Sequence, residues 1–533
     1  MLFNSYTFLF AILPVVLGLF LLLGRRSRSG ALAWLIIASL VFYAWWRPIN
    51  VLIIAPSILV NYVLARRLAR PASSERLRNA LLAGGIAFNI AFLGYFKYTY
   101  FAVSALNDIA GTRFVFEQVI LPLGISFITF QKIAFLVDVW SRRVADFTLR
   151  EYALFVLFFP QLIAGPIVHF REVMPQFRAT ACRPGSEDLA VGLSLLAFGL
   201  FKKVVLADSI AAYASPVYAA AAAGQGITLV QAWIAALGFT LQIYFDFSGY
   251  SDMALGLARC FGIRLPPNFD SPLKATNIVD FWLRWHMTLT RFLTAYLYNP
   301  LVLGLTRRRL ARGQPAFGGR NVSLPAFAQL LALPTLATML VSGVWHGAGY
   351  TFIVWGLLHG AYLVLNHAWR TYARPRWRNR AAYERTMRPL GAVLTLLAVT
   401  LAMVIFRAPT LSAAAAVLRG LAGGGGVELP ATLVVGALQS AGIVASAQSL
   451  TEWATPLAWL LGLLAIALLL PNTLQLMSRY EPALGVKPAP TSGRIAKALQ
   501  WQPNLAWLAV VAALAATAIV QIGGTSEFLY WQF

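Results

Sequence analysis

The chain has 533 residues, 59% of them hydrophobic and only 12% charged, where soluble domains carry about 25% charged residues. That balance excludes an ordinary soluble enzyme. The net charge of +24 does not signal a nucleic-acid binder either, because the arginines fall in short loops between long apolar runs and read as topology signals.

Taking arginine-rich loops as cytoplasmic, the apolar run 3–23 starts outside and delivers Arg25, Arg26 and Arg28 to the inside. It has no basic residue before it, the reverse of a signal peptide, so it is expected to stay as an anchor. Run 31–46 returns outward, and run 51–65 goes back in to Arg66, Arg67 and Arg70. Run 81–96 goes out and run 119–137 returns to Arg142 and Arg143. The segment 152–168 is apolar but holds Pro160, Gly165 and Pro166 between two basic loops. A re-entrant element fits better than a span, because broken helices are tolerated at membrane depth only where protein or a cavity covers the freed carbonyls.

The apolar run 229–247 ends in Phe245-Asp246-Phe247-Ser248-Gly249-Tyr250-Ser251-Asp252. Asp246, Ser248, Tyr250 and Asp252 there read either as a polar wall beside a substrate path or as carboxylates paired with Lys202, Lys203 or Arg264. Next, Asp280-Phe281-Trp282-Leu283-Arg284-Trp285-His286 mixes aromatic and charged residues. Asp280 and Arg284 form an i,i+4 pair, and the stretch reads as an amphipathic helix along the membrane surface or a cavity mouth. His286 is then either interfacial or a second polar member of an internal site, with Trp282 and Arg284 beside it.

Two apolar runs, one from Leu324 and one from Phe352 to Leu365, flank a pause that reads Ser342-Gly343-Val344-Trp345-His346-Gly347-Ala348-Gly349. An ionisable imidazole at membrane depth is a functional candidate by default, since hydrocarbon offers it no water. The competing reading is a histidine that packs and bonds between helices. His359 follows in the second arm and could pack or assist. Run 390–406 leaves the cytoplasm, run 456–470 returns, and run 505–522 is the last span, which puts the tail 523–533 outside. The whole reads as one all-α integral membrane domain over residues 1–533, with about 11 transmembrane helices plus re-entrant and interfacial helices. Both termini are expected in the periplasm, in a bacterial inner membrane. Cys182 and Cys260 lie far apart without ligands at metal spacing, so neither a disulfide framework nor a metal site is expected.

The elements FDFSGYSD (245–252), DFWLRWH (280–286), LIAGP (162–166) and SGVWHG (342–347) together resemble the bacterial branch of the membrane-bound O-acyltransferase family, including its alginate-acetylating members. The resemblance covers most of the chain. Leu283 departs from it, standing where related bacterial members usually have arginine. The resemblance implies a central tunnel, with His346 as the catalytic histidine and His286 as the second polar site residue. It also implies acyl transfer from a cytoplasmic donor, acetyl-CoA by expectation with no bound cofactor, toward an extracellular or periplasmic polysaccharide. A periplasmic acetyltransferase and a polysaccharide synthase or secretion complex are the partners it implies, beside membrane lipids.

Elementary chemistry is compatible with this reading. An alcohol is a poor nucleophile near neutral pH, and a neutral imidazole can take its proton as general base. Indole donors such as Trp345 and Trp355, backbone amides near Gly347, or a protonated His286 could stabilise the charge that develops on the carbonyl. The rival reading from another class is a transporter or polysaccharide flippase with an intramembrane proton relay through His346, Asp246 and Asp252. The last six residues, Phe528 to Phe533, are too aromatic for a solvated tail. They read either as an interfacial anchor or, by resemblance to a Phe-x-Tyr-x-x-Phe ending, as an acyl relay through Tyr530.

Overall fold

The computed structural model describes residues 1–71, 74–117, 119–179, 183–316, 322–377, 379–430, 445–448, 450–486 and 499–523. Regular structure in them is helical apart from one two-stranded parallel ladder that pairs Val427–Pro430 with Ala445–Gln448. Among the described residues seven helices are long and apolar enough to cross a membrane: Thr7–Arg26, Ile49–Leu68, Glu75–Lys97, Ser186–Ala222, Leu229–Cys260, Leu324–His346 and Arg380–Arg407. Arg28–Ala44, Leu411–Leu421, Trp453–Leu469 and Leu505–Gln521 are shorter apolar helices. The chain is an all-α, multi-pass membrane protein. Large apolar side chains left exposed, among them Leu52, Leu461 and Leu508, are then surface for lipid rather than a defect of packing.

The helix starts are written locally. Ser27, Ser74, Asn379, Thr410 and Asn504 each accept a hydrogen bond from a backbone N–H in the first turn that follows. Thr148 and Glu151 close a reciprocal capping box at the start of Leu149–Leu157. Such caps contribute about 1 kcal/mol each, by satisfying donors that have no partner inside the helix.

Two compact units emerge from the packing, the first made of Met1–Val204, Ser248–Asn268 and the described residues from Thr473 on, the second of Val205–Phe247 and Phe269–Asn472. In the first unit the segment 152–168 is broken rather than one continuous helix: helix Leu149–Leu157 breaks at Phe158, and the four-residue turn Phe159–Leu162 follows. Rings of Phe3, Phe8, Phe42 and Phe159 pack around this break with centroids 5.2 to 6.4 Å apart. Several buried polar groups inside the unit are paired, as burial favours. Asn61 and Asn89 exchange side-chain hydrogen bonds at 2.6 and 3.2 Å. The Lys132 ammonium donates to the Ser57 hydroxyl and sits 5.0 Å from the Phe92 ring centre. His169 is buried, with Nδ1 3.8 Å from an Asp138 carboxylate oxygen.

The second unit is built on the hairpin of Leu333–His346 and Tyr350–Ala368, joined by Gly347, Ala348 and Gly349. Arg380–Arg407 packs along the second arm, and Leu411–Leu421 packs on both Arg380–Arg407 and Asp208–Ala222.

Candidate functional site

His346 is the last residue of its helix, 7% exposed, with Gly347 as the C-cap in extended backbone. The hairpin places aromatic rings around it. The centroids of Trp345, Trp355 and Phe406 lie 4.9, 5.1 and 5.4 Å from its own, the last contributed by Arg380–Arg407.

The sequence left His286 between an interfacial and an internal place, and the structure settles it as internal. The 280–286 stretch is not a surface helix: Ile278–Trp282 forms a short helix capped by the Asn277 side chain, and the chain turns before Met287–Leu293 begins. Phe281, Trp282, Trp285 and His286 are buried, and Leu283 is the exposed member at 62%. The residue that departs from the family pattern therefore lies away from this cluster. Charges stay on the rim: Arg284, half-buried, donates to Asp280 at 2.8 Å and to the Asp270 carbonyl at 3.3 Å.

His286 itself is fully buried and holds φ +44° and ψ +51°. Left-handed backbone in a non-glycine residue costs on the order of 1–3 kcal/mol and persists only where the surroundings over-determine it. The turn aims its ring at Phe247 edge to face, with centroids 4.7 Å apart, and sets it 6.1 Å from Trp345 and 6.5 Å from His346. The two imidazoles are too far apart to bond directly.

Of the other residues singled out in the sequence, Trp282 joins this cluster: its indole N–H donates to Nδ1 of His359 at 3.3 Å. Asp246 is buried in the same unit, on the Leu229–Cys260 helix. Ser248, Tyr250 and Asp252 belong to the first unit. Tyr250 stacks on Phe3 with centroids 5.0 Å apart, and Asp252 accepts a 2.6 Å hydrogen bond from Lys202, so the pairing alternative describes Asp252. Tyr530, with the rest of the aromatic tail, lies outside the described residues.

His359, which the sequence left as packing or assisting, lies inside the aromatic cluster. Fully buried, it stands one turn from Trp355 on the same helix, with ring centroids 4.8 Å apart. The i,i+4 spacing of Trp355 and His359 in an otherwise apolar run was the available signal. Phe406 left none, being remote in sequence and one phenylalanine among 35. Among the described residues no group of three or more His, Cys, Asp and Glu side chains could hold a metal ion.

Residues 111–314 match the family described as MBOAT, membrane-bound O-acyltransferase, a stretch that includes His286 and stops short of His346. The chain is 40% identical over 459 residues to a peptidoglycan O-acetyltransferase from Helicobacter pylori, covering 80% of this chain and 81% of that one. It is 39% identical over 420 residues to a probable alginate O-acetylase AlgI from Pseudomonas aeruginosa, covering 78% and 73%. A teichoic acid D-alanyltransferase from Streptococcus thermophilus is 30% identical over 253 residues, covering 46% of this chain and 57% of that protein.

Proposed function

For a chain that belongs to the membrane-bound O-acyltransferase family, we propose O-acetylation of a polysaccharide hydroxyl, with acetyl-CoA as cytoplasmic donor, His346 as general base and His286 as its partner across the reacting group. The relatives' names supply the class of acceptor, a glycan with free hydroxyls. The observation that carries the site is the pairing of two buried imidazoles 6.5 Å apart, one at a helix end and the other on a left-handed turn. Strain at a buried ionisable residue points to function more strongly than burial alone.

In this reading His346 takes the proton of the attacking hydroxyl while the aromatic wall of Trp345, Trp355 and Phe406 keeps bulk water from the thioester. His286 orients the incoming group or the carbonyl, held by its turn rather than by a flexible loop. Arg284 and Asp280 fix that turn from outside. The arginine pattern favours periplasmic termini in the inner membrane; the family resemblance adds a cytoplasmic donor and a periplasmic acetyltransferase that receives the acetyl group.

The test replaces His346 with alanine and measures ester-linked acetate on the cell-surface polysaccharide. Acetylation is expected to fall to the level of a deletion strain, with membrane abundance near wild type. Wild-type acetate in a well-expressed His346→Ala strain would refute the assignment, and deletion without loss of acetate would refute the function itself.

A further inference from the structure

Trp355 and His359 each bury a hydrogen-bond donor that meets no acceptor among the described residues. Both side chains are essentially inaccessible, at 1% and 0% exposure. An indole N–H can only donate, so the bond from Trp282 makes Nδ1 of His359 an acceptor. The imidazole is therefore neutral and carries its one proton on Nε2. Neither that Nε2 nor Nε1 of Trp355 has a hydrogen-bond partner among the described residues. Buried donors without acceptors are rare in folded proteins, and each calls for an explanation. The Trp355 ring lies 4.8 Å from His359 and 5.1 Å from His346, centroid to centroid, so it neighbours both imidazoles.

We propose that the Trp355 Nε1–H and the His359 Nε2–H form a binding site for the carbonyl oxygen of the acyl thioester. The proposal rests on the acetyl-transfer reading above and deepens it. Donors fixed in advance in a water-poor site are suited to an oxygen that gains charge during reaction. The balance is simple. The acceptor oxygen bonds to the carbonyl carbon, its proton passes to His346, and the carbonyl π pair moves onto the oxygen held by the two donors. As that pair returns, the C–S bond breaks, and the thiolate leaves with the proton from His346. The two donors neither gain nor lose a proton. Trp282 is a positioning residue here, since its bond to Nδ1 is what keeps the proton on Nε2.

Trp355→Phe keeps an aromatic ring and deletes the N–H. With full-length protein and acetyl-CoA labelled at the carbonyl carbon, the bound thioester band in the infrared is expected at lower wavenumber than the free one. In Trp355→Phe and His359→Leu that shift should shrink, and coenzyme A release in membranes containing the acceptor should slow on the order of 100-fold. His359→Gln, which keeps an N–H, should recover part of the shift. Should Trp355→Phe fail to fold, benzothienylalanine at position 355 replaces the N–H by sulfur at nearly constant shape. An unchanged band and rate in folded variants, with the shift present in the wild type, overturns the carbonyl site alone. Absence of any acetyl-CoA-dependent release in the wild type overturns the donor reading, and this site with it.

Discussion

Gly343 and Gly356 meet between the two arms of the His346 hairpin, so close that neither tolerates a side chain. A Cβ on Gly343 would lie 2.3 Å from the Phe352 carbonyl oxygen, and one on Gly356 would lie 2.4 Å from that of Met339. Backbone atoms cannot swing aside, so the arms would have to part. Gly343→Ala is expected to cost about 1–3 kcal/mol, as overpacking does, and to displace His346 from Trp355. Gly304→Ala is the control, because nothing lies within 4 Å of its Cβ position. Thermal unfolding in detergent and polymer acetate should both fall for Gly343→Ala and hold for Gly304→Ala. Equal behaviour of the two would show that the close approach is unimportant.

The Asp252 to Lys202 pair has side chains only 7% and 16% exposed, so breaking it strands a buried charge. Asp252→Ala should destabilise the first unit by about 3–5 kcal/mol, the usual cost of removing one partner. Replacing both, as Asp252→Leu with Lys202→Met, should recover most of that loss and keep acetylation. If the stable double variant were inactive, Asp252 would have a role in the reaction as well as in the fold.

Glu151 carries a pH signature. Burial raises its carboxyl, but the hydrogen bond from Arg178 and those at Thr148 outweigh it and hold the group below its ordinary value. A depressed carboxyl stabilises the folded state above its unfolded pKa of about 4.3. That contribution is lost as pH falls through the folded value. Glu151→Gln should therefore lower the unfolding temperature at pH 7, by the equivalent of about 1 kcal/mol or less since Arg178 is part-exposed. At pH well below 4 wild type and variant should converge. A constant gap across pH would assign the effect to packing.

Tyr530→Phe tests the tail. If Tyr530 receives the acetyl group from the thioester, with a base to take its proton, removing only the hydroxyl should reduce polymer acetate to the deletion level. Normal acetate would leave the tail as a membrane anchor. Alkaline phosphatase fused after Phe533 should also be active and the same fusion near Arg380 inactive. The reverse pair would invert the topology and move the donor to the other side.

The hairpin was legible because its signal is local: two apolar runs around a glycine-rich pause correspond to helices that end at His346 and begin at Tyr350. The Leu229–Cys260 helix shows where that method fails. Its apolar run stops near Phe247, yet the helix continues for three more turns through Ser248, Ser251 and Asp252. What permits this is remote: Lys202 meets Asp252, and a Cβ on Gly249 would sit 2.7 Å from the Gly199 carbonyl oxygen. Polar residues read as a helix end because their partners are invisible in the window that contains them. His286 misleads in the same way. Its charged neighbours Asp280 and Arg284 suggest a surface, whereas they satisfy each other at the rim and leave the ring to the interior.

Lys132 carries a consequence for biosynthesis. Its helix, Ile125–Trp140, has 16 residues, with this lysine at the centre and Asp138 near the end, and a lysine there costs a lone segment roughly 2.5–3.5 kcal/mol on entering the bilayer from the translocon. The Ser57 hydroxyl and the Phe92 ring that receive the ammonium belong to Ile49–Leu68 and Glu75–Lys97, both synthesised earlier. Asn61 and Asn89 join those two helices to each other. The polar partners that accommodate this lysine thus come from two helices that precede it in the chain.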